Sequence, residues 1–323
     1  MPKTLFVSKL YNIKFDQHLG KGIHIGNDML ISDNNKFIRK YFLDNIIYAI
    51  GRIEYDDLQK GSFVYAIKEF DEDKIDTLNL LNNYLILMQL FFNTMWLRKD
   101  NSVNIEMGYI WETTPPYETS SNSRTPYFSN SEGETSETIF TKKEIKEICK
   151  IMQKKLSIDG SSFEEWGLLE ERPGRMEPTK NNNRLELSFF LLQIARSISY
   201  IPAKIAGYCS IFETLLTIDS AEISHKISER TAMLIGDPSE RMGIYNAVKK
   251  AYSIRSNYIH GELPSKGEQY FKDISKECDS ILRRLLLKIL GNKELQGLLV
   301  DSNNEKLNEW FIQLVLSEER CHE

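Results

Sequence analysis

Apolar positions along this chain recur with two different periods, and the change from one to the other divides the sequence. Residues 5–15 alternate and are rich in β-branched and aromatic side chains, the signature of a strand. Residues 63–67 and 103–111 carry the same signature. Between them, residues 36–53 and 78–98 have helical length and spacing, and the dense apolar stretch 84–97, interrupted by Gln89 and Asn93, reads as a buried helix. Residues 113–137 break the pattern. They hold Pro115, Pro116 and Pro126 among many Ser, Thr and Asn, which predicts a long mobile loop. Thr141 and Glu144 have capping-box spacing and start a predicted helix over 142–156.

A second irregular stretch, 157–183, carries Pro173, Pro178 and a run of Asn. From Arg184 onward the period is almost entirely helical. The predicted helices are 184–218, broken near Pro202; 224–235, closed by Gly236; and 238–259, with Pro238 in its first turn and Gly261 past its end. Then come 266–290, closed by Gly291, 293–299 and 304–317. The expected fold is an α+β N-terminal domain (1–160), a linker (161–183) and an all-α helical bundle (184–323) with antiparallel neighbours.

With 323 residues, 41% hydrophobic and 27% charged, the composition is globular. No apolar run is long enough for a membrane span, and residues 1–15 lack the core of a signal peptide, so a cytoplasmic protein is expected. Cys149, Cys209, Cys278 and Cys321 show no CxxC spacing and the five histidines do not cluster with them, which argues against a disulfide framework and against zinc. No metal and no cofactor are expected. Net charge is −5 overall, yet residues 184–291 sum to +3 while the segments before and after each sum to −4. That local excess is compatible with a phosphate site.

The most informative chemistry lies at the end of the 238–259 helix, in Arg255-Ser-Asn-Tyr-Ile-His260-Gly261. Arg is a permanent cation shaped to hold phosphate, and His moves a proton near neutral pH. On an ideal helix residues five apart point roughly 140° away from one another. Gly261 and Pro264 predict that the helix unwinds near His260, which would bring its ring toward Arg255. The alternative is structural: Arg255 pairs with a carboxylate and His260 caps the helix carbonyls.

Three segments together, around Glu213 (Ile-Phe-Glu-Thr-Leu-Leu), around His225-Lys226…Glu229-Arg230, and Arg255 to Gly261, resemble the HEPN superfamily, in its ApeA-like branch from prokaryotic defence proteins. The resemblance covers about residues 184–291. It implies a bundle of four or five helices that forms a homodimer, with two Arg-x(4–6)-His motifs facing one cleft. It also implies a metal-independent endoribonuclease acting on RNA. His260 would take the proton from a ribose 2′-hydroxyl or give one to the leaving 5′-oxygen. Arg255 would neutralise the scissile phosphate. The polar residue this family often carries directly after the Arg is here Ser256, with Asn257 one further. A Tyr found two residues after the His in a toxin branch is here Glu262.

Around the motif, Glu213 is a candidate to orient Arg255 or Arg230, or to form a structural salt bridge. His225, Lys226 and Arg230 form a cationic stripe, and Arg241, Lys249 and Lys250 a solvated face that could track an RNA backbone. Tyr258 could stack on a base, or serve the core as Tyr252 would. His18 and His24, near Gly20, Gly22 and Gly26, read as loop residues without the form of a phosphate loop. Two readings stay open for the helical domain: a nuclease in antiviral defence or a toxin-like system, and a non-catalytic HEPN module for dimerisation or RNA binding. The N-terminal domain, which resembles no recognised family, would bind a trigger or regulator.

Overall fold

A strand covered on both faces needs apolar side chains at consecutive positions, and Leu5, Phe6 and Val7 supply them in β1 (Lys3–Lys9). The computed structural model describes residues 3–26, 28–42, 46–69, 76–115, 117–123, 127–158, 183–219, 221–262, 266–301 and 303–316. The expected linker, 161–183, lies outside the described residues except for Asn183. The chain forms two units, Met1–Tyr127 with Thr135–Arg175, and Phe128–Glu134 with Met176–Glu323.

In the first unit β1 pairs on one side with β5 (Phe63–Glu69) and on the other with β6 (Gly108–Glu112), all antiparallel. Beyond them lie β4 (Met29–Ser32) and β3 (Ile23–Gly26) at one edge and β7 (Thr119–Asn122) at the other. A separate parallel pair joins β2 (Ile13–Phe15) to β8 (Thr138–Phe140). One face packs on α4 (Thr77–Arg98), where Phe6 meets Tyr84 at 4.7 Å. Gly108 permits that approach, because a Cβ there would lie 2.8 Å from Leu85. The other face, with Leu5, Val7 and Trp111, packs on Ile38, Phe42, Ile46 and Leu58. These come from short helices α1 (Asn35–Ile38), α2 (Ile46–Ile50) and α3 (Arg52–Leu58) and a 3-10 turn, Arg39–Tyr41. α5 (Lys142–Ile158) starts with the expected capping box, Thr141 and Glu144 exchanging backbone-to-side-chain bonds.

Several expectations are corrected here. The strand over 5–15 is two strands, because Asn12 turns the backbone at φ 61° and Tyr11 makes an isolated bridge to Asn104. The helix over 36–53 is three short pieces and a 3-10 turn, interrupted at Gly51 with φ 92°. His24 is in an edge strand rather than a loop.

The second unit is helical: α6 (Arg184–Arg196), α7 (Ile201–Leu216), α8 (Ile223–Ile235), α9 (Arg241–Ile259), α10 (Glu268–Gly291), α11 (Lys293–Asp301) and α12 (Asn304–Leu316). Asn183, assigned to the linker by sequence, is the N-cap of α6 in a capping box with Glu186. The break expected at Pro202 falls just before it, at 197–200, because Pro is tolerated in a first helical turn. Pro238 precedes α9 instead of entering it. Gly236 is extended, not left-handed. Its lack of a side chain matters for space, since a Cβ would lie 2.7 Å from the Ala232 carbonyl and 2.8 Å from Ile244.

Residues 128–134, placed by sequence in a mobile loop, are packed into this helical unit, and β7 orders part of the same loop. Phe128 is buried with the fully buried Arg196 guanidinium 4.2 Å over its ring. Ser129 donates to the Arg196 carbonyl from both its N–H (2.9 Å) and its hydroxyl (3.1 Å). Ser275 donates to the Ser131 carbonyl, and Lys276 and Lys272 pair with Glu132 and Glu134. Lys204, fully buried, caps the end of α6 through the Ala195 carbonyl at 3.0 Å. The composition of 113–137 hid this segment, since a single Phe and an Arg sixty-odd residues away supply the apolar contact.

Two outcomes follow from this packing. Phe128→Ala removes a buried ring and uncovers Arg196, and is expected to cost about 3–5 kcal/mol in the unfolding of the helical unit, read by denaturant titration. In the first unit, burial works against ionisation of Asp57, but hydrogen bonds from Lys9 and Tyr11 outweigh it and hold its pKa below the ordinary aspartate value. Its contribution is therefore present at neutral pH and lost as pH falls through the lowered value. Asp57→Asn is expected to lower the melting temperature at neutral pH and to change it little in strong acid.

Candidate functional site

Helix α9 carries the Arg–His motif, and its ending is well defined. Gly261 sits at φ 73°, the left-handed position that glycine adopts without strain. Its N–H donates to the Tyr258 carbonyl (3.1 Å), and the Glu262 N–H donates to the Asn257 carbonyl (2.9 Å), a Schellman motif as the glycine predicts. The expected unwinding is absent. His260 keeps its helical bond, N–H to the Ser256 carbonyl at 3.0 Å, because the glycine that reverses the chain comes one residue later.

The ordinary helical period therefore applies through His260. Three, four and seven residues before Arg255 lie Tyr252, Ala251 and Val248, all buried. At the same spacings before His260 lie Asn257, Ser256 and Ser253, all exposed. Arg255 belongs to the edge of the core-facing stripe and His260 to the solvent stripe, so the motif's two side chains leave the helix on different sides.

Arg255 is 34% exposed and reaches Glu213 of α7 at 3.2 Å; Glu213 is 26% exposed. The same carboxylate oxygen accepts from the Tyr252 hydroxyl at 2.5 Å. The Tyr252 phenol is pushed up by burial and by that hydrogen bond to a carboxylate. Of the two partners considered for Glu213, the structure selects Arg255. The side chain remains partly open to solvent, while its guanidinium is held by a charged partner and by the Tyr252 ring 5.8 Å away.

The cationic stripe on α8 is not a free surface. Arg230 is buried; its guanidinium donates to the Leu216 carbonyl and lies 4.4 Å over the Phe311 ring. Lys226 pairs with Asp219 at 2.9 Å, and the His225 ring meets the Tyr245 hydroxyl at 2.9 Å. Arg230 tied the α7 C-terminus and α12 together, which its charge alone could not reveal. Lys249 and Lys250 are exposed on α9 as expected, Lys249 resting 5.5 Å from the Tyr245 ring. Arg241 folds back on the Gly236 carbonyl.

Beside the motif is a cavity of about 190 Å³ that the sequence did not disclose. Tyr200, Tyr258 and Tyr270 form its aromatic walls, with Asn257, Glu262 and Lys266 as polar groups. Tyr200 and Tyr270 come from the starts of α7 and α10, so only the fold brings them to Tyr258. Neither Arg255 nor His260 lines it. Among the described residues no group of three or more His, Cys, Asp or Glu could hold a metal ion, and no helix is long and apolar enough to cross a membrane.

Arg230→Ala is expected to lower stability by about 2–4 kcal/mol through lost packing on Phe311 and an uncovered helix end. Lys249→Ala and Lys250→Ala should stay within about 0.5 kcal/mol of the parent in the same denaturant titration. Comparison with protein-family models, with curated proteins and with solved structures returns no match for this chain.

Proposed function

We propose that the helical unit is a metal-independent endoribonuclease of the HEPN type, cytoplasmic and acting as a homodimer in antiviral defence or a toxin-like system. The observation that carries this reading is the partly exposed Arg255 side chain, held by Glu213 at 3.2 Å, on the helix that ends in the exposed His260. A positioned Arg offsets charge developing on a phosphate. An exposed imidazole takes the ribose 2′-proton or returns one to the leaving oxygen. The 2′-oxygen attacks phosphorus, the bond to the 5′-oxygen breaks, and a 2′,3′-cyclic phosphate and a 5′-hydroxyl result. DNA lacks the attacking group and is not cut.

Because α9 stays regular to its end, one copy presents Arg255 and His260 on different sides. The reading therefore calls for a second copy, whose α9 end supplies the complementary residue to a shared cleft. The N-terminal unit then acts as the receiver of a trigger, an idea that rests on domain order. A non-catalytic RNA-binding or dimerisation module is the second reading. It is favoured by the Arg255–Glu213 pair, which also serves as a structural tie between α7 and α9.

The test is RNA cleavage in EDTA by the parent, Arg255→Ala and His260→Ala, with analysis of product ends and light scattering at the assay concentration. Cleavage to cyclic-phosphate ends by a dimeric parent, reduced about 10²–10⁴-fold in both variants, is expected. Equal activity in all three proteins would sink the assignment, and full activity of a monomer would remove the two-copy site.

A further inference from the structure

The cavity beside the motif has the size and lining of a subsite for one ring. An enclosed space of roughly 150 Å³ accommodates a benzene molecule, so this partly open pocket of about 190 Å³ has room for one planar heterocycle. Its aromatic walls stay open to a ligand: Tyr200 is 55% exposed, and Tyr258 and Tyr270 are each 39% exposed. Tyr200 and Tyr258 stand 6.0 Å apart at 54°, too close to sandwich a third ring. They form a corner, in which a ring stacks on one face and meets the other edge-on.

The polar groups narrow the ligand further. Glu262 accepts hydrogen bonds and Lys266 donates them, and both line the same cavity with the Asn257 amide. The Watson–Crick edge of guanine presents a carbonyl next to two N–H donors. A carboxylate and an ammonium together match that edge, whereas uracil offers two carbonyls around one N–H. On the side of the Phe128–Glu134 segment a second cleft shares Tyr200 and Lys266 and is bordered by Glu132, Glu134 and Glu268, whose carboxylates are already held by Lys272 and Lys276. On the other side of Asn257 the exposed stripe continues to Ser256 and His260, and Lys249 and Lys250 lie farther along α9. A backbone leaving in that direction meets cations.

We propose that this cavity binds an unpaired guanine base of single-stranded RNA, stacked on Tyr258 and read by Glu262 and Lys266, with the attached backbone running toward His260. The proposal deepens the nuclease reading by naming its substrate specificity, and it can stand or fall separately. Stacking supplies affinity for any base, while the Glu262–Lys266 pair supplies the preference.

The experiment uses full-length protein carrying His260→Ala, in EDTA, titrated into fluorescein-labelled RNA hexamers that differ at one central position, with binding read by anisotropy. The guanine hexamer is expected to bind best and the uracil hexamer worst. Tyr258→Ala should weaken all four about ten- to hundredfold, and Tyr258→Phe should restore binding. Glu262→Gln, an exposed change that leaves the fold intact, should erase the guanine preference while leaving the uracil hexamer within about twofold. Equal affinity of the parent and Tyr258→Ala, or no binding of any hexamer, overturns the proposal. Competition by guanosine monophosphate at the hexamer's own potency assigns the cavity to a free nucleotide and overturns the RNA part. Tyrosine-dependent binding by a protein that cleaves nothing when His260 is restored supports the cavity and counts against the nuclease. Cleavage that needs Arg255 and ignores Tyr258 does the reverse.

Discussion

Helix α7 is apolar on nearly every side, and the helical unit is arranged to satisfy that one demand. No position along it is exposed, and Ile205, Tyr208, Cys209, Ile211, Phe212 and Leu215 are all buried, so helices must cover it from several directions. α6, α8, α9 and α10 all pack against it. Gly207 lets α6 come close enough that a Cβ there would lie 2.9 Å from Ala195. The polar groups of α7 sit where this covering ends. Tyr208 reaches Asp279 of α10 at 3.0 Å, Glu213 reaches Arg255 of α9, and the Leu216 carbonyl accepts from Arg230 of α8. Both the candidate site and the aromatic cavity are therefore positioned by the burial of one helix: Glu213 near its C-terminal end fixes Arg255, and Tyr200 at its N-terminal cap walls the cavity.

Much of this fold is legible in the chain. The long helices announce themselves by period, cap and terminal glycine, as at Thr141–Glu144 and at Gly261, because each signal is a local constraint on a few consecutive residues. The N-terminal sheet is less legible. β3 and β4 are four residues each and too short for alternation to register. β1 is buried on both faces, so the alternation read over 5–15 announces a strand but not its end at Lys9. The region 113–137 misleads because composition reports whether a segment can fold by itself. It does not report whether a segment can lie against a neighbour that brings the apolar surface.

The site divides in the same way. Residue identities at the end of α9, its closing glycine and the pairing of Glu213 with one of two arginines are readable, since they depend on neighbours along the chain or on one charge pair. The direction in which His260 leaves the helix is not, because one residue decides whether a glycine reverses the chain before or after it. The burial of Arg230 depends on Phe311 from α12, and the cavity depends on tyrosines from three helices, so no spacing along the sequence encodes either.

The segment Phe128–Glu134 has a consequence for how this chain acquires its structure. It leaves the sheet unit after β7, joins the helices, and returns to form β8, so neither unit is one continuous piece of chain. The bond from Ser275 to Ser131 closes a loop of 144 residues, and that from Ser129 to the Arg196 carbonyl one of 67. Such contacts form late, since loop-closure entropy opposes them until both partners are present. During synthesis, Phe128 emerges well before Arg196 and Ser275 exist. The Phe128–Glu134 segment therefore waits for α10, and the helical unit completes its packing around that segment only after this helix has been made.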